Sequence, residues 1–214
     1  VREVHRQYPN VIVEMHDPIW PWGVRYAPVY YLDLGEDTFE EMWAFEFMWR
    51  PLEDLLSGAA LSLFYYNLAY DIPLYLHIDM DNDNDNCLAF WWYASTCRHI
   101  GIGGGAENPA RFAAYKAALA EYRSLKDLYA RGTFYANDEL THIHVLPDTG
   151  RAVINLFNLT QNAIERKVEL RLNDLELLGD VHVEGAPWEL VGGKLVVHVR
   201  IPPFSPLLVK ITSR

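Results

Sequence analysis

The sequence predicts an α/β plus all-β chain: a partial TIM-type β/α barrel, about half of one, followed by an antiparallel β-sandwich. Three observations predict it. Up to residue 131, short apolar runs bounded by turns alternate with helical segments, the rhythm of parallel βα units. After Gly132 the pattern changes to short β-forming runs separated by turns, as in an antiparallel sandwich. The chain has 214 residues, whereas a complete eight-stranded barrel takes roughly 250. The domains are therefore expected over 1–132 (partial barrel) and 133–214 (sandwich).

The elements follow in order. Tyr8-Pro9-Asn10 is a turn signal, and the run 11–15 (VIVEM) after it is apolar enough for a strand covered on both faces. It ends in His16-Asp17-Pro18. A long aromatic loop, IWPWGVRYAPVYYLDLGED, comes next, and loops of that length in compact domains are often functional. The run 40–49 (EEMWAFEFMW) reads as a second strand. Pro51 opens a helix over 51–70, with acidic residues in its first turn, and Ile72-Pro73 ends it. A third strand, 74–80 (LYLHIDM), ends in the carboxylate Asp79. The polar run DNDNDN follows, and 87–93 is apolar, helical or loop-like. A fourth strand, 98–104 (RHIGIGG), is closed by glycines, and Asn108-Pro109 starts a helix over 110–131. Beyond Gly132, strands are expected at 141–146, 151–158, 166–172, 181–184, 194–200 and 206–212. Pro147-Asp148-Thr149-Gly150 and Gly192-Gly193 are among the turns between them.

Composition bounds the function. Half of the chain is apolar and 14% is Phe, Trp or Tyr, which is ample for a core and excludes a disordered chain. A net charge of -11 argues against nucleic acid and anionic membranes, which need basic patches. The two cysteines, Cys87 and Cys97, fit neither a disulfide framework nor a zinc site and read as buried thiols. The longest apolar stretch, 59–70, is too short to span a membrane. No signal peptide is read at the start, so a soluble protein, cytoplasmic by preference, is expected. The opening runs straight into a strand, as if cut from a longer protein.

Three stretches carry a resemblance: the glycine-ended strand RHIGIGG, the helix end YRSLKDLYARGTFY and the tail PPFSPLLVKI. In this order they resemble the C-terminal part of retaining glycoside hydrolases of the α-galactosidase clan. Those enzymes finish a (β/α)8 barrel with a long helix and add an antiparallel β-sandwich. The resemblance covers most of the chain as architecture, with no single specific motif. It implies hydrolysis of glycosidic bonds by paired carboxylates.

In such barrels the active site lies at the C-terminal ends of the strands, and glycoside cleavage needs two carboxylates there. Asp79, Asp17 and Glu46 are the candidate catalytic acids. Asp79 leads, because it ends LYLHI with His77 on the same strand face. Its bland alternative is a turn or cap residue of DNDNDN, and Asp17 has the same alternative before Pro18. Glu46 sits in an apolar run, where an unpaired charge is costly. Pairing with Arg50 or Arg98 is the favoured reading for it. Trp20 and Trp22 are candidate stacking platforms for sugar rings, and His16, His77 and Arg98 complete the candidate substrate-binding set.

The alternation of Asp from Asp79 to Asp85 fails the calcium-loop pattern, which wants Gly at the sixth position and Glu at the twelfth, so a solvated acidic loop is favoured. His142 and His144 share one strand face without an evident third ligand, so cross-strand packing is favoured over zinc. The glycines 101–105 lack the Lys-Ser/Thr of a phosphate loop. No metal or cofactor is expected. The expected partner is carbohydrate. A half barrel leaves an open sheet edge, so a homo-oligomer completing the barrel, or the rest of a longer chain, is expected as well. The rival reading is a catalytically inactive truncated barrel acting as a carbohydrate-binding or oligomeric scaffold. A third, a metal-dependent enzyme, would use His16, Asp17, His77 and Asp79.

Overall fold

The computed structural model describes residues 2–9, 14–16, 29–31, 47–48, 50–104 and 108–213. The chain divides into two compact units, 1–49 and 50–214. In the first unit, helix α1 (Arg2–Gln7) precedes β1 (Glu14–His16), which pairs in parallel with β2 (Val29–Tyr31). Strand β3 is Phe47–Met48. The strand expected over 11–15 is thus described only from residue 14, and that over 40–49 only at its end.

The second unit opens with α2 (Pro51–Ser57) and α3 (Leu61–Tyr70), where the sequence suggested one helix. Gly58 divides them. It takes φ +83, a left-handed state that glycine adopts without a Cβ penalty, and its N–H caps α2 on Leu55 O. Strand β4 (Leu74–Asp79) pairs in parallel with β5 (Arg98–Gly103). Between them runs α4 (Leu88–Cys97), buried along its whole length. A helix apolar on every side belongs in a core. Accordingly α4 touches α2, α3, β4 and β5, the long helix α5 (Pro109–Arg131), and three strands of the C-terminal part. Helix α5 starts where its cap predicts: Asn108 Oδ1 accepts from the N–H groups of Ala110 (3.0 Å) and Arg111 (3.2 Å).

The remaining strands form two antiparallel sheets. One has the order β10-β13-β8-β7-β6 and the other β11-β12-β9. Their ranges are β6 Thr133–Asp138, β7 Thr141–Leu146, β8 Arg151–Asn158, β9 Ile164–Arg171, β10 Val181–Glu184, β11 Trp188–Val191, β12 Lys194–Ile201 and β13 Ser205–Ser213. Alternate residues of both sheets, such as Ile154 and Leu156 of β8 with Val197 and Val199 of β12, share one apolar core. Burying each such side chain stabilises the fold by about 1.5–3 kcal/mol. The other residues of β8, Val153, Asn155 and Phe157, are buried too, because helices α4 and α5 cover that face. Two strands, β6 and β11, were not legible in the sequence. Strand β6 carries a bulge between Ala136 and Asp138, and every residue of the four-residue β11 is exposed, so neither shows a period-two burial pattern.

Candidate functional site

The parallel pair β4–β5 fixes the geometry of the site. Its register sets His77 beside Gly101 and Asp79 beside Gly103. Directly paired residues share a face, so His77, Asp79 and His99 belong to one side of the pair. On the other side, Leu76 and Ile78 are buried, and α4 packs against both strands. Opposite His77 and Asp79 the neighbouring strand carries only glycines. His99 carries no motif that marks it in the sequence. Burial, with Lys126 and Arg98 adding to it, holds its imidazole below the ordinary value.

Asp79 lies at the C-terminal end of β4 and is 9% exposed. Its Oδ1 accepts from Asp81 N–H at 3.0 Å and its Oδ2 from Asn82 Nδ2 at 2.8 Å. It also caps the short 3-10 turn Met80–Asn82. The turn-and-cap reading of Asp79 thus holds, at the end of β4. Asn82 in turn lines an open pocket of about 480 Å³ with Arg50, Leu52, Glu53, Leu56 and Ser57, a size common for small-molecule sites.

The run DNDNDN is solvated at Asn82, Asp85 and Asn86, as its composition suggests, but Asp83 is drawn inside. Asp83 is 4% exposed, and its carboxylate accepts from the N–H groups of Asn84 (2.7 Å), Ala89 (3.0 Å) and Phe90 (2.9 Å) and from Tyr115 Oη (2.7 Å). It closes the N-terminus of α4, where a negative charge suits the helix dipole. Burial nevertheless raises its carboxyl above the usual range, against the pull of these four donors. Among the described residues, no three His, Cys, Asp or Glu side chains group as metal ligands.

Arg98, expected as a substrate contact, stands at the opposite end of β5 from Gly103, roughly 16 Å away along the strand. It is 2% exposed. Its guanidinium donates to Asn67 Oδ1 (2.8 Å), Asp71 Oδ1 and Gly132 O (3.3 Å) and lies over the Phe134 ring. This makes it a strut of the fold, not a member of the strand-end group. Arg50 pairs with Glu53, so both arginines considered for Glu46 have other carboxylate partners. Asp17, Glu46, Trp20 and Trp22 lie outside the described residues. So does the side chain of His16, which ends β1.

His142 and His144 are fully buried beneath α4. Ser95 Oγ lies 2.9 Å from His142 Nδ1 and 3.2 Å from His144 Nε2. His142 Nε2 reaches Glu139 O at 3.0 Å, so that nitrogen donates and Nδ1 accepts the serine proton. Burial holds His142 down to about 4 and His144 well below its ordinary value. Both rings are neutral packing elements of the interior. Cys87 and Cys97 are buried thiols, pushed up chiefly by burial, to about 12 for Cys87. A thiol so shifted is not a nucleophile at neutral pH.

This arrangement, a βα segment with a strand-end carboxylate followed by two antiparallel sheets, defines a class. It is the fold of the C-terminal part of glycoside hydrolases of the α-galactosidase clan, as the sequence resemblance implied. The GH36 α-galactosidase of Geobacillus stearothermophilus, solved with raffinose, superposes with a TM-score of 0.61 at 15% identity, over 100% of this chain and 30% of that one. A GH27 β-L-arabinopyranosidase of the same organism, in complex with arabinose, gives 0.57 at 12% identity, over 99% of this chain and 60% of that one. An Anoxybacillus α-amylase gives 0.52 at 13% identity, over 100% of this chain and 55% of that one. At such identities the likeness is one of fold. The chain spans less than two thirds of the length of each of these three proteins. No protein-family model and no curated protein matches the sequence. Among the described residues, no helix is long and apolar enough to cross a membrane.

Proposed function

We propose that the chain is a glycoside hydrolase-like protein with about half a β/α barrel over 1–132 and a β-sandwich over 133–214, which binds carbohydrate at its strand ends. The carrying observation is the position of Asp79. It ends a parallel strand, shares a face with His77, and has only glycine beside it on β5. In this fold that position is where carboxylates act on glycosidic oxygens. Asp79 is one carboxylate of the pair, and Asp17 or Glu46 supplies the other. Trp20 and Trp22 stack on the sugar, while His16 and His77 donate hydrogen bonds to its hydroxyls. The neighbours solved with raffinose and arabinose support a carbohydrate ligand.

Among the described residues β5 pairs only with β4. An unpaired parallel edge is a template for further strands, and they come from the rest of a longer chain or from a second copy in a homo-oligomer. The test is the solution mass by light scattering, run with a panel of nitrophenyl glycosides that includes an α-galactoside and a β-L-arabinopyranoside. An oligomer that turns over one of them supports the proposal. An oligomer that binds free galactose or arabinose without turnover supports the rival reading of a non-catalytic carbohydrate scaffold. A monomer that neither binds nor hydrolyses contradicts both.

A further inference from the structure

We infer that the run 81–86 is a latch that positions the Asp79 carboxylate, and that the turn between β12 and β13 sets the latch. The inference rests on the reading of Asp79 as the functional acid. Both of its oxygens are held by the first two residues of the run, through Asp81 N–H and Asn82 Nδ2. The rest of the run is fastened elsewhere. Asp83 is tied to α4 and Tyr115, and Asp85 Oδ1 accepts from Arg111 Nε (3.1 Å) and Asn108 Nδ2 (3.2 Å). Arg111 also reaches the carbonyl of Asp81.

The remaining two tethers cross to the C-terminal sheets. Asn84 Nδ2 (2.9 Å) and Asn86 Nδ2 (3.2 Å) both donate to Phe204 O. One carbonyl has two lone pairs, so a single atom takes both amides. That atom is itself held in place. Phe204 has φ +45, a state that non-glycine residues keep only when their surroundings enforce it. Its N–H is bound to Thr160 O at 3.1 Å, in the connection after β8. A line of contacts thus runs from the antiparallel sheets through Phe204, Asn84 and the run to Asp79. Asn82, Asn84 and Asn86 are positioning residues, and the C-terminal sheets are part of the site's support.

The test uses the full chain and two variants. Asn86→Ala removes one donor. Asn84→Asp removes the other but keeps the oxygen that accepts from Asn86 N–H and Leu88 N–H. The readouts are amide hydrogen exchange at Asp81, whose N–H holds Asp79, and the carboxyl-carbon NMR signal of Asp79. A lost tether should speed exchange at Asp81 about fivefold to tenfold and move the Asp79 signal, with amides in β8 and α5 unchanged. Unchanged exchange at Asp81 in both variants overturns the latch. So does a uniform acceleration of all amides, which marks plain destabilisation. If Asn84→Asp does not fold, Asn86→Ala decides alone. A galactose titration of the wild type and Asp79→Asn separates the two claims. Equal behaviour there overturns the functional reading of Asp79 and leaves the latch to stand on the exchange data.

Discussion

A β-carbon added to Gly104 would lie 2.5 Å from Asp79 Oδ1 and 2.9 Å from Asp81 Oδ2. Two carboxylates therefore crowd against one bare Cα just past the end of β5. The backbone there has φ +101, which a side chain strains in any case. Gly104→Ala should cost about 1–3 kcal/mol and drive the Asp79 carboxylate from its place. Urea unfolding gives the first effect, and sugar affinity the second. A variant as stable as the parent, with unaltered binding, would show that the close approach has no consequence.

The buried histidines predict a loss of stability in acid. His142 is held down to about 4 from an ordinary 6.5, and His144 is lowered as well. The unfolded chain therefore binds protons that the folded chain refuses. Stability contributed by the neutral rings is complete above about pH 6.5 and falls as pH drops from there toward 4. The slope approaches about 1.4 kcal/mol per pH unit for each histidine. Replacing His144 by Phe should flatten the slope of Tm against pH between 6.5 and 4. An unchanged slope would contradict this account of the pair.

Tyr115 should matter through Asp83. Its hydroxyl is the one side-chain donor among the four that hold this buried carboxylate. Tyr115→Phe removes that donor and little volume, so about 1.5–3 kcal/mol should be lost, as for hydrogen bonds to charged groups. Chemical denaturation measures it, and a cost under about 0.5 kcal/mol would mean that Asp83 finds another partner.

Arg98→Ala tests the division of labour along β5. Removing the guanidinium leaves the buried Asn67 Oδ1 without this donor, whereas the half-exposed Asp71 keeps Phe134 N–H (3.2 Å), so the loss should be about 1–3 kcal/mol, as for a buried polar group left unsatisfied. Sugar affinity in the folded variant should not change, because Arg98 is at the end of the strand away from Asp79. A selective loss of affinity without loss of stability would return Arg98 to the site.

What the sequence made legible was local. The strands 141–146, 151–158 and 181–184 match the structure residue for residue, and the α5 start follows from the Asn108 cap. These elements carry their own signals in hydrophobic period and capping chemistry. What stayed hidden depends on partners distant in the chain. Ser95 meets the two histidines across 47 and 49 residues. Asn84 meets Phe204 across 120. DNDNDN looks solvated by composition, yet Asp83 is drawn inside because α4 needs its amides capped where it is buried. Arg98 opens its strand, at the end away from the strand-end acids, and that much was legible; what was hidden is that Asn67, Asp71 and Gly132, far along the chain, hold it inside.

The most direct test of the central claim is the rate of nitrophenyl glycoside hydrolysis by the assembled protein, measured for the wild type and Asp79→Asn. The account predicts turnover of at least one glycoside by the wild type and a fall of about 10²- to 10⁴-fold in the variant, with its fold intact by circular dichroism. Turnover that survives the substitution would contradict the assignment of Asp79.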